Sequence, residues 1–330
     1  MKAFCASKYG SMDYFGIREI AKPLAKEGQV LVKVHAVSIN DWDWADLGRI
    51  AKGRWFARLS FGWTKPKKII GSDIAGRVEA IGPGVIRFKP GDAVFGDLSR
   101  FFGGGFGGFS EYVCAHENQL VPKPEHMSFE QAAAIPQAGV LVAQALAACG
   151  PLRPGQRILI NGAGGGCGTM GIQLAKLSEV EVTGVDGGEK FELMQSLGFD
   201  HMIDYTKEDF TLNGKQYDLI VDTKTSRPAS AIDRVLAPGG TYATVGGFAH
   251  LFGFIFLKRW IRWRYKKNMF VVMLKPNSGL AKLCELFEAG KFRPVLDRAY
   301  NFTDSDMFAA IHRFGAGEHH GKIVVTVAPS

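Results

Sequence analysis

The stretch with the most evident chemistry is Asn161-Gly-Ala-Gly-Gly-Gly-Cys-Gly168, entered from Ile158-Leu-Ile160 and leaving into Thr-Met-Gly-Ile-Gln-Leu-Ala-Lys176. An apolar, β-branched run that meets a knot of glycines and then a helical pattern sets backbone N–H groups at the start of a helix. The partial positive charge there favours an anion such as a pyrophosphate. Ala163, Gly165 and Gly168 take the three small-residue positions of an A-x-G-x-x-G turn, with Gly166 and Cys167 completing the backbone along the anion. Such a turn uses its small residues for the tight bend, for close backbone approach and for helix–strand packing. Val180-Glu-Val-Thr-Gly-Val-Asp186 reads as a second strand ending in an acid, 18 residues after Gly168. That is the spacing of a carboxylate that binds adenosine ribose hydroxyls. The bland alternative is a tight turn beside a surface Asp. The order strand, loop, helix, strand, acid favours a bound dinucleotide, and with it redox chemistry.

The elements that must hold this loop fall into two styles of sequence. Up to about residue 125 the chain is strand-rich and punctuated by glycine. Gln29–Val37 alternates like a half-buried strand, Asp73–Ile81 follows, and Lys89-Pro-Gly-Asp-Ala-Val-Phe95 carries a turn between strands. From Ser128-Phe-Glu-Gln131, which has the form of a capping box, the periodicity changes. Strands are predicted at Ile158–Asn161, Val182–Asp186, Met202–Tyr205, Leu219–Asp222 and Thr241–Val245, and Glu189–Leu197 reads as a helix stopped by Gly198. Repeated β-α-β units predict an α/β domain with a doubly wound parallel sheet and a ligand site at its carboxyl edge. After about residue 275 come a helix over Leu280–Ala289 and a last strand, Lys322–Val327, which are expected to rejoin the first domain. The division expected is thus 1–125, 126–274 and 275–330.

A chain of 330 residues is long for one core, and 46% hydrophobic with 22% charged residues describes a globular protein. No apolar run reaches the length of a membrane span, and the N-terminus lacks the apolar core of a signal peptide. The five cysteines are scattered and never paired as C-x-x-C, which fits a reducing, cytoplasmic setting rather than a disulfide framework or a zinc lobe. The formal net charge of +8 is concentrated in two basic, aromatic segments, Arg49–Lys68 and Leu257–Lys267. Such segments suit RNA or an anionic membrane surface, but no nucleic-acid module accompanies them, so a solvated face is the favoured reading. The run Phe101–Phe109 contains only glycine and phenylalanine; together with Trp42, Trp44 and Trp55 it reads equally as an apolar substrate surface or as core.

With these words in this order, the chain resembles the medium-chain dehydrogenase/reductase superfamily, and within it the zinc-independent quinone oxidoreductase-like branch. The resemblance rests on Val37-Ser-Ile-Asn40, Gly71-Ser-Asp-Ile-Ala-Gly-Arg-Val78, Phe88–Phe95, Ala132-Ala-Ala-Ile-Pro136, the glycine loop, Ala237-Pro-Gly-Gly240 and Gly321-Lys-Ile-Val-Val325. It implies a split, GroES-like, strand-rich catalytic domain with a Rossmann domain inserted between its halves, and a homo-oligomer, a dimer or higher. It also implies that Asn40 lies near nicotinamide and acceptor, that Asp43 is close by, and that Val245-Gly246-Gly247 runs along the cofactor. Asn40 reads alternatively as the N-cap of a helix over Asp41–Leu47, and Asp43 as structural.

In zinc alcohol dehydrogenases of the superfamily a Cys and a G-H-E segment bind catalytic metal. Here Asn40 and Gly71-Ser-Asp73 stand at those places, and the structural four-cysteine lobe is missing. Three zinc ligands cannot be assembled; His319-His320 precede a terminal strand and point apart. Without a Lewis acid, a conjugated acceptor is easier to reduce than an isolated ketone, because its π-system spreads the charge left by hydride addition. The expected activity is therefore NAD(P)H-dependent reduction of quinones or α,β-unsaturated carbonyls, small apolar substrates. An alcohol dehydrogenase, or a non-enzymatic dinucleotide sensor at RNA or membrane, are the competing readings. Relatives that favour NADPH carry a small residue at the end of the second strand with a Lys and a Tyr farther on. This chain has Lys190 and Tyr205 but Asp186, whose charge opposes a 2′-phosphate while Lys190 offsets it; the two signals conflict, and the expected cofactor is NAD(P)H, leaning to NADH.

Overall fold

The computed structural model describes residues 1–53, 58, 61–66, 69–99, 107–246, 260, 263–264 and 267–328. Trp55, Gly247, residues 101–106 of the Phe/Gly run and most of the segment 257–267 lie outside the described residues. The chain divides into two units, one of Met1–Gln137, Pro276–Glu288 and Leu296–Ser330, the other of Ala138–Lys275 and Ala289–Val295.

In the first unit, β1 (Lys2–Ala6) and β2 (Phe15–Glu19) form an antiparallel pair. A seven-stranded sheet contains β3 (Gln29–Ser38), β4 (Asp73–Ile81), β5 (Ala93–Asp97), β6 (Tyr112–His116) and β7 (Val121–Pro122), with β14 (Tyr300–Asn301) and β15 (Val324–Thr326) added from the far end of the sequence. β3 is its spine. The alternation of Gln29–Val37 predicts one wet face, yet from Val34 to Ser38 both faces are buried. The helix Phe129–Ala134 supplies the cover, and the His35 ring stacks on Phe129 at 4.3 Å. That helix opens with the predicted box: Ser128 Oγ accepts from Gln131 N and Gln131 Oε1 accepts from Ser128 N.

Register decides which side chains meet at one sheet end. Asp73 on β4 is paired with Ser38 on β3 and with Asp97 on β5, while Val324 of β15 pairs with Ser38 from the other side. Residues directly opposite one another in a sheet share a face. Ser38, Asp73 and Asp97 therefore stand in a row, and Lys322 lies two residues ahead of Val324, the partner of Ser38.

The second unit is a six-stranded parallel sheet with β8 (Arg157–Asn161), β9 (Glu181–Asp186), β10 (His201–Asp204), β11 (Tyr217–Asp222), β12 (Leu236–Thr244) and β13 (Asn268–Val271). Their order is β10-β9-β8-β11-β12-β13. Sequence order reverses at β8, which makes its carboxyl end, beside β11, the switch point where such sheets bind ligands. Leu159, Val185, Ile220 and Tyr242 form the centre of its core. Each fully buried side chain of this size contributes roughly 1.5–3 kcal/mol.

Candidate functional site

At the end of β8 the chain turns through Gly162, whose φ of +88° favours glycine. The N–H groups of Gly162 and Ala163 both donate to Val185 O, tying the loop to β9. The helix Gly166–Ala175 then starts at Gly165 without any side-chain cap. First-turn N–H groups of a helix have no intrahelical acceptor, so this terminus suits a pyrophosphate. A Cβ on Gly168 would lie 2.3 Å from Ala163 O and 2.4 Å from Gly162 O, so the third glycine is needed for the turn to pack on its own helix.

Asp186 sits beside the loop, and its carboxylate is already engaged. Oδ2 accepts from Gly164 N at 2.8 Å, Oδ1 accepts from Gly187 N at 2.9 Å, and Lys190 Nζ lies 3.2 Å from Oδ1. Both side chains of this ion pair are buried. The methylenes of Lys190 also pack over Gly164, where a Cβ would meet them at 2.5 Å. Tyr205 N donates to Asp186 O, while the Tyr205 side chain is exposed. Loop, acid, lysine and tyrosine are thus brought together at one edge of the parallel sheet.

Across the switch point, buried Asp222 organises the next strand ends. Its Oδ1 accepts from Asn161 Nδ2 at 2.9 Å and its Oδ2 from Tyr242 OH at 2.8 Å. Val245 N donates to Asp222 O, and Gly246 O accepts from the hydroxyls of Thr225 and Thr244. Val245 and Gly246 are therefore held at the carboxyl end of β12, on the sheet edge that carries the glycine loop.

A second constellation belongs to the first unit. Asn40 follows β3 and starts the helix Asp41–Ala51; its N–H donates to Asp43 Oδ2 at 2.9 Å. Asn40 is thus a helix N-cap as well as a candidate for chemistry, and Asp43 is the acid that holds it. The Asn40 side chain is only 4% exposed. Its Oδ1 accepts from Lys322 Nζ at 2.5 Å, and its Nδ2 faces Ser72 Oγ at 3.4 Å and the Asp73 carboxylate. Lys322 Nζ also donates to Ile39 O at 3.1 Å and lies 4.0 Å from Asp73 Oδ2.

Asp73 Oδ2 accepts from Ser38 Oγ and from Gln137 N. Asp73 Oδ1, Asp43 Oδ1, Asp97 Oδ2 and Gln137 Nε2 are buried without a hydrogen-bond partner among the described residues. Burial, and then the neighbouring Asp97 charge, push the Asp73 carboxyl up to about 7. Burial pushes Asp43 well above the usual carboxylate range, with Asp73 adding to it, and raises Asp97 too. One lysine cation thus serves three enclosed carboxyl groups.

The donor set here does not fit a catalytic zinc. Asn40, Ser72 and Asp73 surround an ammonium, and a dication placed among them would face that charge. Among the described residues no group of three His, Cys, Asp or Glu side chains could hold a metal. His319 stacks on Phe314, and the backbone N–H of His320 donates to Asp297 Oδ1. Sequence reasoning passed over the parts played by Ser72, Asp97 and Lys322. The one available signal was a lysine placed against the apolar run Ile323-Val-Val325.

Residues 26–125 match the family described as alcohol dehydrogenase GroES-like domain, and residues 197–325 match the family described as zinc-binding dehydrogenase. A 2-methylene-furan-3-one reductase of Solanum lycopersicum is 33% identical over all of this chain and 80% of its own length. A chloroplastic quinone-oxidoreductase of Triphysaria versicolor is 32% identical, over 93% of this chain and 92% of the relative. The solved structure of the quinone oxidoreductase from Coxiella burnetii superposes with a TM-score of 0.85 at 25% identity, covering 99% of each chain. The chain belongs to the medium-chain dehydrogenase/reductase superfamily, in its zinc-independent quinone oxidoreductase-like branch. It is an NAD(P)H-dependent oxidoreductase.

Proposed function

We propose that this enzyme reduces quinones or α,β-unsaturated carbonyls with NADH in preference to NADPH, and that it does so without a metal. The observation that carries the metal-free reading is the ammonium of Lys322, hydrogen-bonded to Asn40 at 2.5 Å in the place where the family's zinc enzymes assemble ligands. Such a site offers hydrogen bonds to an acceptor, not a Lewis acid. That matches a conjugated substrate, whose negative charge after hydride addition gathers on oxygen. Curated relatives named as furanone reductase, quinone oxidoreductase and alkenal/one oxidoreductase support the same substrate class.

The glycine loop, Asp186, Lys190, Tyr205 and the Val245–Gly246 segment would hold the dinucleotide, with Gly247 continuing that segment in sequence. When bound, the reduced nicotinamide supplies a hydride and is itself oxidised. Asn40 Nδ2 donates a hydrogen bond to the acceptor oxygen and stabilises the charge that develops there. Water delivers the proton that completes the product. Asp43 fixes the Asn40 backbone and has no part in proton transfer. The NADH preference rests on the Asp186 carboxylate, which opposes a 2′-phosphate even with Lys190 beside it. A dimer and a cytoplasmic setting complete the reading, the latter supported by five unbridged cysteines. No helix among the described residues is long and apolar enough to cross a membrane.

The test is NADH and NADPH oxidation against a panel of quinones, enones and simple ketones, with metal content measured on the same sample. Turnover on quinones or enones with substoichiometric zinc is expected. Stoichiometric zinc, or reversible turnover on simple alcohols and ketones alone, overturns it.

A further inference from the structure

We propose that Lys322 is a positioning residue for the reduction: it fixes which end of the Asn40 carboxamide faces the acceptor. The inference rests on the reading of Asn40 as the donor to the acceptor oxygen. An amide side chain has two ends of nearly equal shape, one accepting and one donating, and orientation must come from its neighbours. An ammonium only donates. The atom 2.5 Å from Lys322 Nζ is therefore the oxygen, and the amide nitrogen turns to the side of Ser72 and Asp73. Its acceptors there are the Asp73 carboxylate and Ser72 Oγ, the latter at 3.4 Å, a long bond that an acceptor oxygen would displace on binding.

Lys322 also disfavours the reversed orientation, which would set the amide N–H groups against its ammonium; its second bond, to Ile39 O, holds the ammonium in place. Lys322 is itself anchored by the sheet: Asp297 N donates to its carbonyl oxygen, and β15 follows two residues later. The carboxyl groups facing the ammonium come from three elements, Asp43 on the helix after Asn40, Asp73 on β4 and Asp97 on β5. Their negative charge, where present, interacts favourably with the ammonium.

The test is a double-mutant cycle on kcat, with dinucleotide affinity and melting temperature measured alongside. Asn40→Ala removes the donor and is expected to lower kcat on the best quinone or enone about a hundredfold. Lys322→Met is expected to lower kcat at least about tenfold, with dinucleotide affinity unchanged. In the Asn40→Ala background the same Lys322→Met change is expected to cost less than about twofold, because the residue it orients is gone. If Lys322→Met alone fails to fold, Lys322→Met/Asp73→Asn, which removes one charge of each sign, is compared with Asp73→Asn in both backgrounds. An equal loss in both backgrounds, or no loss in either, overturns the inference. Full kcat in Asn40→Ala itself overturns the functional reading, and is told apart because it needs no change at Lys322.

Discussion

Each unit contains a buried lysine beside a buried aspartate, and the two pairs are built differently. In the nucleotide-binding unit, Lys190 and Asp186 are four residues apart, 3.2 Å from each other, and both carboxylate oxygens also accept backbone N–H bonds. In the strand-rich unit, Lys322 and Asp73 are 4.0 Å apart, and Asp73 Oδ1 has no partner among the described residues. A satisfied buried pair holds its neighbours still. A pair left short of bonds pays in desolvation unless a proton or a ligand relieves it. The first arrangement suits a binding frame for a cofactor; the second suits a site whose charge must respond during a reaction.

The harshest way to break the first region is Gly168→Val. Its side chain would enter the backbone carbonyls of Gly162 and Ala163, which cannot move aside as a flexible side chain would. We expect a loss of about 3 kcal/mol or more in a denaturant titration, and no detectable dinucleotide binding by fluorescence. The second region is probed through pH. Asp73 has its proton affinity raised from 3.8 to about 7 in the folded protein. Between those values the folded state holds a proton that the unfolded chain releases, so stability is greatest at the acid end and falls as pH rises through the window. One such proton gives a slope of up to roughly 1.4 kcal/mol per pH unit. Asp73→Asn should flatten the slope in urea unfolding measured from acid to neutral pH, with Asp43 and Asp97 retaining part of it; an unchanged slope would remove Asp73 from the account.

A smaller effect sharpens the contrast. Asp186→Ser frees Lys190 for a 2′-phosphate and should raise the ratio of kcat/KM for NADPH over NADH about tenfold. Lys190→Met leaves Asp186 uncompensated and should move the same ratio about tenfold the other way. Opposite shifts identify the pair as the discriminating element. Shifts of the same sign would show that the pair acts only by holding the glycine loop in place.

The two regions were also unequally legible in sequence. The glycine loop, Asp186 and the alternating strands are written in consecutive residues, so turn chemistry and periodicity expose them; β9 spans Glu181–Asp186 against an expected Val182–Asp186. What sequence could not show is that the Asp186 carboxylate is spanned by Gly164 and Lys190, since that depends on a loop folding back over a side chain. Asn40 was visible through family resemblance and through its place before a helix. Its partners were not. Ser38, Asp73 and Asp97 meet through strand register, and a pattern of alternation says which face a residue takes but not which residue lies opposite. The two-faced burial of β3 was missed because the covering helix begins at Phe129, far along the chain.

The bond between Lys322 and Asn40 joins residues 282 positions apart. During synthesis at about 5–20 residues per second, Asn40 therefore waits on the order of 15 seconds to a minute for its lysine partner. Through that interval Asp43, Asp73 and Asp97 exist without their cation, and the sheet lacks β15. The ribosome thus produces the whole parallel sheet, through β13, before the Asn40 cluster can be completed. The Asn40 cluster is closed only with the last strand of its sheet, so the strand-rich unit finishes folding after every strand of the parallel sheet has been made.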